Sequence, residues 1–271
     1  MTTLNTATTD GPRTMTGTQG SHRRIPLGRL TSTELRKMVD TRSGLWLLAS
    51  VGILAVLASA AVIAVASTDG PVYTSFAIAI SFTMTVVLPI IAILSVTSEW
   101  SQRSGLTTFT LVPHRGRIIY AKAIACVGLA TATIPLAFAA GALANLLGAG
   151  IAGVKPVWDL TATNMLTLLL ANVLALLVGF MLGVVIRSSA GALVGYFVYS
   201  FVLPTLSTIL ATSQDWFRHL QPWIDFKYAC GTLIDGTLTS QQWTHLGVSA
   251  IIWVVIPLTI GLRLVLRAEV K

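Results

Sequence analysis

The chain has 271 residues, of which 54% are hydrophobic and only 10% are charged. Soluble domains carry about 25% charged residues, so this composition excludes an ordinary soluble protein. The formal net charge of +8 would suit a nucleic-acid ligand. However, the distribution of the charge along the chain predicts that its partner is the lipid bilayer and that it binds no nucleic acid.

Six apolar runs without a single charged residue dominate the sequence. Most of them contain 20 residues or more. A helix that rises 1.5 Å per residue needs about that number to cross roughly 30 Å of hydrocarbon. The pattern therefore predicts an all-α membrane protein with six transmembrane helices. The runs are Leu45–Ala66, Val72–Thr97, Ala123–Leu147, Met165–Ile186, Ala190–Leu210 and Leu246–Leu262.

The basic residues alternate between the two sides of these runs. Of the 18 Lys and Arg residues, seven precede the first run and four lie between the second and third. One more lies between the fourth and fifth runs, and three follow the sixth. Because basic residues accumulate on the cytoplasmic side, these fifteen predict that both termini are cytoplasmic. The prediction is a multi-pass protein of the cell membrane.

The N-terminal region divides into a tail and a short helix. Residues 1–28 are rich in Thr and Gly and show no apolar periodicity, which predicts a disordered cytoplasmic tail before a transmembrane domain at 29–271. Thr31 and Glu34 then have the spacing of a capping box, and Leu35 and Met38 begin an apolar stripe. We expect an amphipathic helix on the inner membrane surface, either a plain anchor or a surface for a cytoplasmic partner.

The segment between the second and third runs also suggests a short helix. It begins at Glu99, carries Leu106 and Phe109 three residues apart, and ends before Pro113. Such a helix would be exposed on the cytoplasmic side and tied to two spans. It could therefore transmit a push from a soluble partner.

The longest connection, at residues 211–245, is rich in aromatic residues. Trp216, Leu220, Trp223 and Ile224 recur at helical spacing, which predicts a re-entrant or interfacial helix. This helix could form an outer gate, or it could only anchor the connection in the membrane.

No catalytic constellation is present in the sequence. None of the five lysines follows a glycine, so there is no Walker A motif, and we expect no enzyme activity and no bound cofactor. The spacing of His219, Cys230 and His245 matches no zinc motif, so we expect no metal site. The apolar runs lack the ionisable residues that proton or sodium relays use. Energy for any transport would then come from outside the membrane.

Two cytoplasmic segments resemble those of the permease subunits of type 2 ABC exporters. The stretch from Glu34 to Gly44 is similar to the connecting helix of that family. The family usually has adjacent Gly and Thr after the second helix, whereas Leu106 separates them here. The matching residues of the second segment are Glu99, Arg103, Gly105, Thr107, Pro113, Arg115 and Lys122.

The resemblance implies the membrane-spanning subunit of an ATP-driven exporter. Two copies, or one copy and a related permease, would pair with two ABC ATPase subunits that use ATP and Mg. Residues 99–112 would be the coupling helix, with Thr31, Glu34, Leu35 and Met38 in a second contact. Tyr196, Tyr199 and Ser200 would line a path between the permeases for a hydrophobic or amphipathic cargo. An ion-coupled or facilitated transporter, and a non-transporting membrane scaffold or immunity protein, remain as alternatives.

Overall fold

The computed structural model describes residues 26–40, 42–66, 70–101 and 115–267, with the side chains of 43, 99–101, 115, 266 and 267 left out. Within these ranges the regular structure is helical, and Val72 and Val157 form an isolated parallel bridge. Among the described residues, six helices are long and apolar enough to cross a membrane, which confirms the six predicted spans.

The first four spans are continuous helices, and the last two are each interrupted by a π-helical turn. Before the first span comes α1, Leu27–Asp40. The continuous spans are α2 (Arg42–Val65), α3 (Tyr73–Ser101), α4 (Arg115–Ala152) and α5 (Ala162–Ile186). The fifth span comprises α6 (Ser189–Phe197), the π turn Val198–Val202 and α7 (Leu203–Ser213). The connection that follows contains α8 (Asp215–Ile224), α9 (Phe226–Gly231) and a 3-10 turn (Thr232–Asp235). The sixth span comprises α10 (Ser240–Ala250), the π turn Ile251–Val255 and α11 (Ile256–Arg267).

Since successive spans run in opposite directions, the connections fall at two ends of the bundle. We call the end that carries α1 and the short α5–α6 turn the α1 end. The opposite end, which carries residues 153–161 and 214–239, is the loop end. At the α5–α6 turn Arg187 adopts a left-handed conformation with φ of 57°, and the Ser188 side chain accepts a hydrogen bond from the Gly191 amide.

The start of α1 differs from the sequence prediction. The helix begins at Leu27, directly after Pro26, whose carbonyl accepts hydrogen bonds from the amides of Arg29 and Leu30. Thr31 therefore lies inside the helix, where its hydroxyl donates to the Leu27 carbonyl, and the predicted capping box with Glu34 is wrong. Residues 1–25 of the predicted tail lie outside the described residues.

Helices α3 and α5 form the centre of the bundle and are the most buried of the six spans. They approach closely at Gly179 of α5, where a side chain would overlap the backbone of Pro89 in α3. The fully buried Asn172 of α5 donates a hydrogen bond of 2.6 Å to Ser81 of α3. A small residue at a close crossing and a buried polar bond are both typical of helix pairs in membranes.

At the loop end, residues 153–161 cover the start of α3. The Tyr73 amide donates to the Val157 carbonyl, and the Thr74 amide donates to the carboxylate of Asp159 at 2.9 Å. Asn145 of α4 donates to the same Val157 carbonyl at 3.0 Å. These bonds satisfy amides that the first turn of a helix otherwise leaves unpaired.

The predicted helix in the long connection is confirmed as α8, although a different face of it is buried. Trp216 is 61% exposed, and Leu220 and Trp223 are also exposed. Phe217 and Gln221 are the buried residues, and Gln221 donates to the Ser207 hydroxyl of α7 at 3.0 Å. Trp216 and Leu220 of the predicted stripe therefore face away from the bundle, whereas the Trp223 ring packs against His245 of α10 with centroids 4.3 Å apart.

Candidate functional site

The predicted coupling segment is described only at its borders. Glu99 lies in the last turn of α3 and Arg115 begins α4, but their side chains are not described. Arg103, Gly105, Thr107, Phe109 and Pro113 lie outside the described residues. Their roles stay predictions.

The four residues predicted for the connecting helix share one face of α1. Glu34 is buried, Leu35 and Met38 are partly buried against the core, and Thr31 begins the same stripe. Arg36 and Lys37 lie on the exposed side. The apolar stripe of α1 is thus packed against the bundle, mainly against α4 and also against α2.

A buried ion pair joins α1 to α4. The Lys122 ammonium lies 2.7 Å from Glu34 Oε2, and the two side chains are only 6% and 9% exposed. Lys122 also donates to the Ser95 carbonyl of α3 at 3.2 Å. Lys37, which is half exposed, binds the second carboxylate oxygen, Oε1, at 2.7 Å. Three helices therefore meet at one carboxylate and one ammonium group.

The position of Lys122 corrects an expectation from the sequence. Lys122 lies inside the span Gly116–Ala152, because α4 continues well before the apolar run that begins at Ala123. The sequence placed Lys122 in the connection before the third run, whereas the structure places it, buried, in the helix that contains that run. A signal was present in α1, since a buried Glu34 on an apolar stripe requires a cationic partner.

The charges around Glu34 determine its protonation state. Burial by itself would raise the pKa of Glu34. The positive charge and hydrogen bond of Lys122, together with those of Lys37, outweigh burial and hold the pKa below the usual 4.5. Glu34 is therefore ionised at neutral pH.

A cavity of about 390 Å³ opens beside this cluster. Residues of α1, α2, α3 and α4 line it, and Ser189 of α6 closes one side. Ser189 is held there by a hydrogen bond of 2.7 Å between its hydroxyl and that of Thr97. The volume lies within the range of about 300–1,000 Å³ that is usual for ligand sites. The cavity combines charged groups on one side with apolar groups on the other.

A second, more apolar groove of about 250 Å³ lies at the loop end. It runs between α7, α8 and α9, and Trp253 forms part of its wall. Lys227 lines it, and burial lowers the pKa of this ammonium from its usual 10.5. Burial likewise raises the pKa of the nearby Cys230 thiol to about 12, so this cysteine is protonated and unreactive at neutral pH.

The two π turns meet beside this groove. Tyr199 of the first turn and Trp253 of the second have ring centroids 5.6 Å apart. The Trp253 indole N–H donates to the carbonyl of Ile224, the last residue of α8, at 2.6 Å. The fifth span, the sixth span and α8 are thereby connected through one aromatic side chain. π turns occur frequently at functional sites.

The residues predicted to line a path are packed inside the chain. Tyr196 is 1% exposed and its hydroxyl donates to the Thr85 carbonyl of α3, whereas Tyr199 is 8% exposed. Ser200 is partly buried. The exposed residues of the same span are instead Phe197 and Phe201, whose rings stack 6.0 Å apart. A role in a path stays a prediction for the three.

Comparison with protein-family models finds no match for this chain, and comparison with curated proteins finds no significant match either.

Proposed function

We propose that this chain is the membrane-spanning permease subunit of an ABC exporter, oriented with the α1 end in the cytoplasm. The basic residues support this orientation, since fifteen of eighteen belong to segments at that end. ATP and Mg are used by a separate ATPase subunit, and a second permease copy completes the membrane domain. The apolar surfaces of the spans favour a hydrophobic or amphipathic cargo.

The Glu34–Lys122 ion pair is the observation that carries this proposal. It joins α1 to α4 at a position seven residues after Arg115, the first residue of α4, which follows the predicted coupling segment 99–112. The connecting helix is therefore joined by a short, buried interaction to the helix that follows the predicted coupling segment. A displacement of the connecting helix or of the coupling segment would therefore be transmitted to α1, α3 and α4 together.

Purification of the tagged chain from its native membrane in a mild detergent tests this function. We expect an ATPase subunit with a Walker A motif in near-equal amount, together with ATP hydrolysis. Recovery of the chain alone, under conditions that preserve other membrane complexes, contradicts the proposal. Ion-gradient-driven transport by the isolated chain in liposomes would instead favour an ion-coupled transporter.

A double substitution locates the contact. Glu99→Ala with Arg103→Ala should reduce the co-purified ATPase by about tenfold or more, roughly 1.4 kcal/mol of binding, while leaving membrane insertion unchanged. Arg263→Ala is the matched control, because this exposed residue lies at the same end but outside both predicted contact segments. Equal ATPase recovery from all three proteins would contradict the assignment of residues 99–112.

A further inference from the structure

The cavity at the α1 end has an apolar wall built from four helices. α2 contributes two adjacent leucines, α3 contributes two residues three apart on one face, and α1 and α4 contribute one residue each. Partial exposure of several of them shows that the cavity is open on one side. The apolar wall consists of Met38, Leu47, Leu48, Ile91, Leu94 and Leu129.

The opposite wall is polar and places the half-exposed Lys37 ammonium at the opening. Both oxygens of Glu34 are engaged by lysines, Oε1 by Lys37 and Oε2 by Lys122. Lys122 is buried, whereas the Lys37 side chain is 54% exposed, so the charge that a ligand meets at the opening belongs to Lys37.

The cavity lies beside the start of the first candidate span, where the apolar run of the sequence begins. Leu47 and Leu48 belong to the first turns of α2, while Lys37 belongs to the helix that precedes this span. A ligand that fills the cavity must therefore be anionic at one end and apolar at the other. Phospholipids with a net negative headgroup have this chemistry and are present at high concentration around the protein.

We propose that this cavity binds one anionic phospholipid, with its phosphate beside Lys37 and an acyl chain along the apolar wall. The lipid would bridge α1 to the ends of α2 and α3. Occupation of the cavity would thereby fix α1 against the bundle in addition to the ion pair. Such a site does not require the chain to be a permease.

Native mass spectrometry of the full chain tests the site. The protein is purified in detergent and mixed with equal amounts of phosphatidylglycerol and phosphatidylcholine. We expect one retained phosphatidylglycerol, with about fivefold preference over phosphatidylcholine, because one basic residue near a membrane contributes about that factor. Equal retention of the two lipids, or retention of neither, would overturn the proposal.

Two substitutions on α1 separate the site from general surface charge. Lys37→Gln should reduce the preference for phosphatidylglycerol about fivefold. Arg36→Gln is the matched control, since it removes the same charge from the neighbouring exposed position, which does not line the cavity. An equal reduction in both variants would show nonspecific attraction to the basic surface and would overturn the assignment.

Two further substitutions fill the cavity from different helices. Leu94→Trp on α3 and Leu48→Trp on α2 should each abolish retention of both lipids while the protein still elutes as a single species. Either variant is sufficient if the other does not fold. Undiminished retention in a folded tryptophan variant would place the lipid elsewhere and overturn the proposal.

Discussion

The two ends of this helical bundle are held together by different interactions. At the α1 end, side-chain charges from distant parts of the sequence meet, with Glu34, Lys37 and Lys122 in one cluster. At the loop end, backbone groups carry most of the polar contacts, as in the bond from Trp253 to the Ile224 carbonyl.

This difference determines how each end responds to change. Removal of one charged partner leaves the other buried and uncompensated, which is costly. Loss of one contact at the loop end leaves others in place, because residues 153–161 accept three hydrogen bonds, two at the Val157 carbonyl and one at the Asp159 carboxylate. The α1 end should therefore depend on single side chains, whereas the loop end should depend on local backbone conformation.

The largest effect is expected at Lys122. Lys122→Ala should lower the free energy of unfolding by about 3–5 kcal/mol, because it leaves Glu34 buried without its main partner. Thermal unfolding in detergent, followed by size-exclusion chromatography, measures the loss. Glu34→Gln combined with Lys122→Met should recover most of it.

Lys37→Ala is the matched control for this pair. It removes the exposed partner of the same carboxylate and should cost less than about 1 kcal/mol. Equal decreases in melting temperature for the two single substitutions would show that burial of the Glu34–Lys122 pair adds no stability. They would contradict the claim that the α1 end depends on this buried pair.

A smaller effect is expected at Gly236 of the loop end. Its φ is +78°, and an added Cβ would overlap the Asn164 carboxamide. Gly236→Ala should cost about 2 kcal/mol, combining the conformational penalty with overpacking. Gly153 has a similar φ of +69° but open space around it, so Gly153→Ala should cost only about 1 kcal/mol. Equal melting temperatures for these two variants would show that the contact with Asn164 contributes nothing.

The smallest effect is expected on the pH dependence of stability. Stability should rise with pH through a group at each end, in acid at the α1 end and in alkali at the loop end. The lowered pKa of Glu34 means that its stabilisation is present above about 4.5, the usual value, and is lost as pH falls through the folded-state pKa. The lowered pKa of Lys227 means that the cost of burying its charge disappears as pH rises towards 10.5.

Melting temperatures of two variants across pH measure these contributions. The difference between the native protein and Glu34→Gln should shrink in acid, and the difference between the native protein and Lys227→Met should shrink in alkali. Differences that stay constant with pH would show that neither group changes its pKa on folding.

The spans and α8 could be predicted because both follow from residues close together in sequence. The Glu34–Lys122 pair could not, since its members are 88 residues apart and Lys122 precedes its apolar run. The start of α1 was misplaced because Thr31 and Glu34 have capping-box spacing, yet the helix begins at Leu27, after Pro26, and Glu34 pairs with lysines instead. The π turns lack a periodic signal, because side chains on both sides of each turn remain apolar.

The π turns also determine where residues can be inserted into or deleted from the last two spans. A π turn closes its hydrogen bond over one residue more than an α-helical turn, so loss of one residue from Ile251–Val255 restores a regular helix. The helix beyond it, α11, would keep Gly261 against Val184 of α5. The same deletion inside α10 would rotate every later residue by about 100°, since a helix has 3.6 residues per turn. Insertions and deletions among homologous chains should therefore be tolerated at these two turns before any other position in the last two spans.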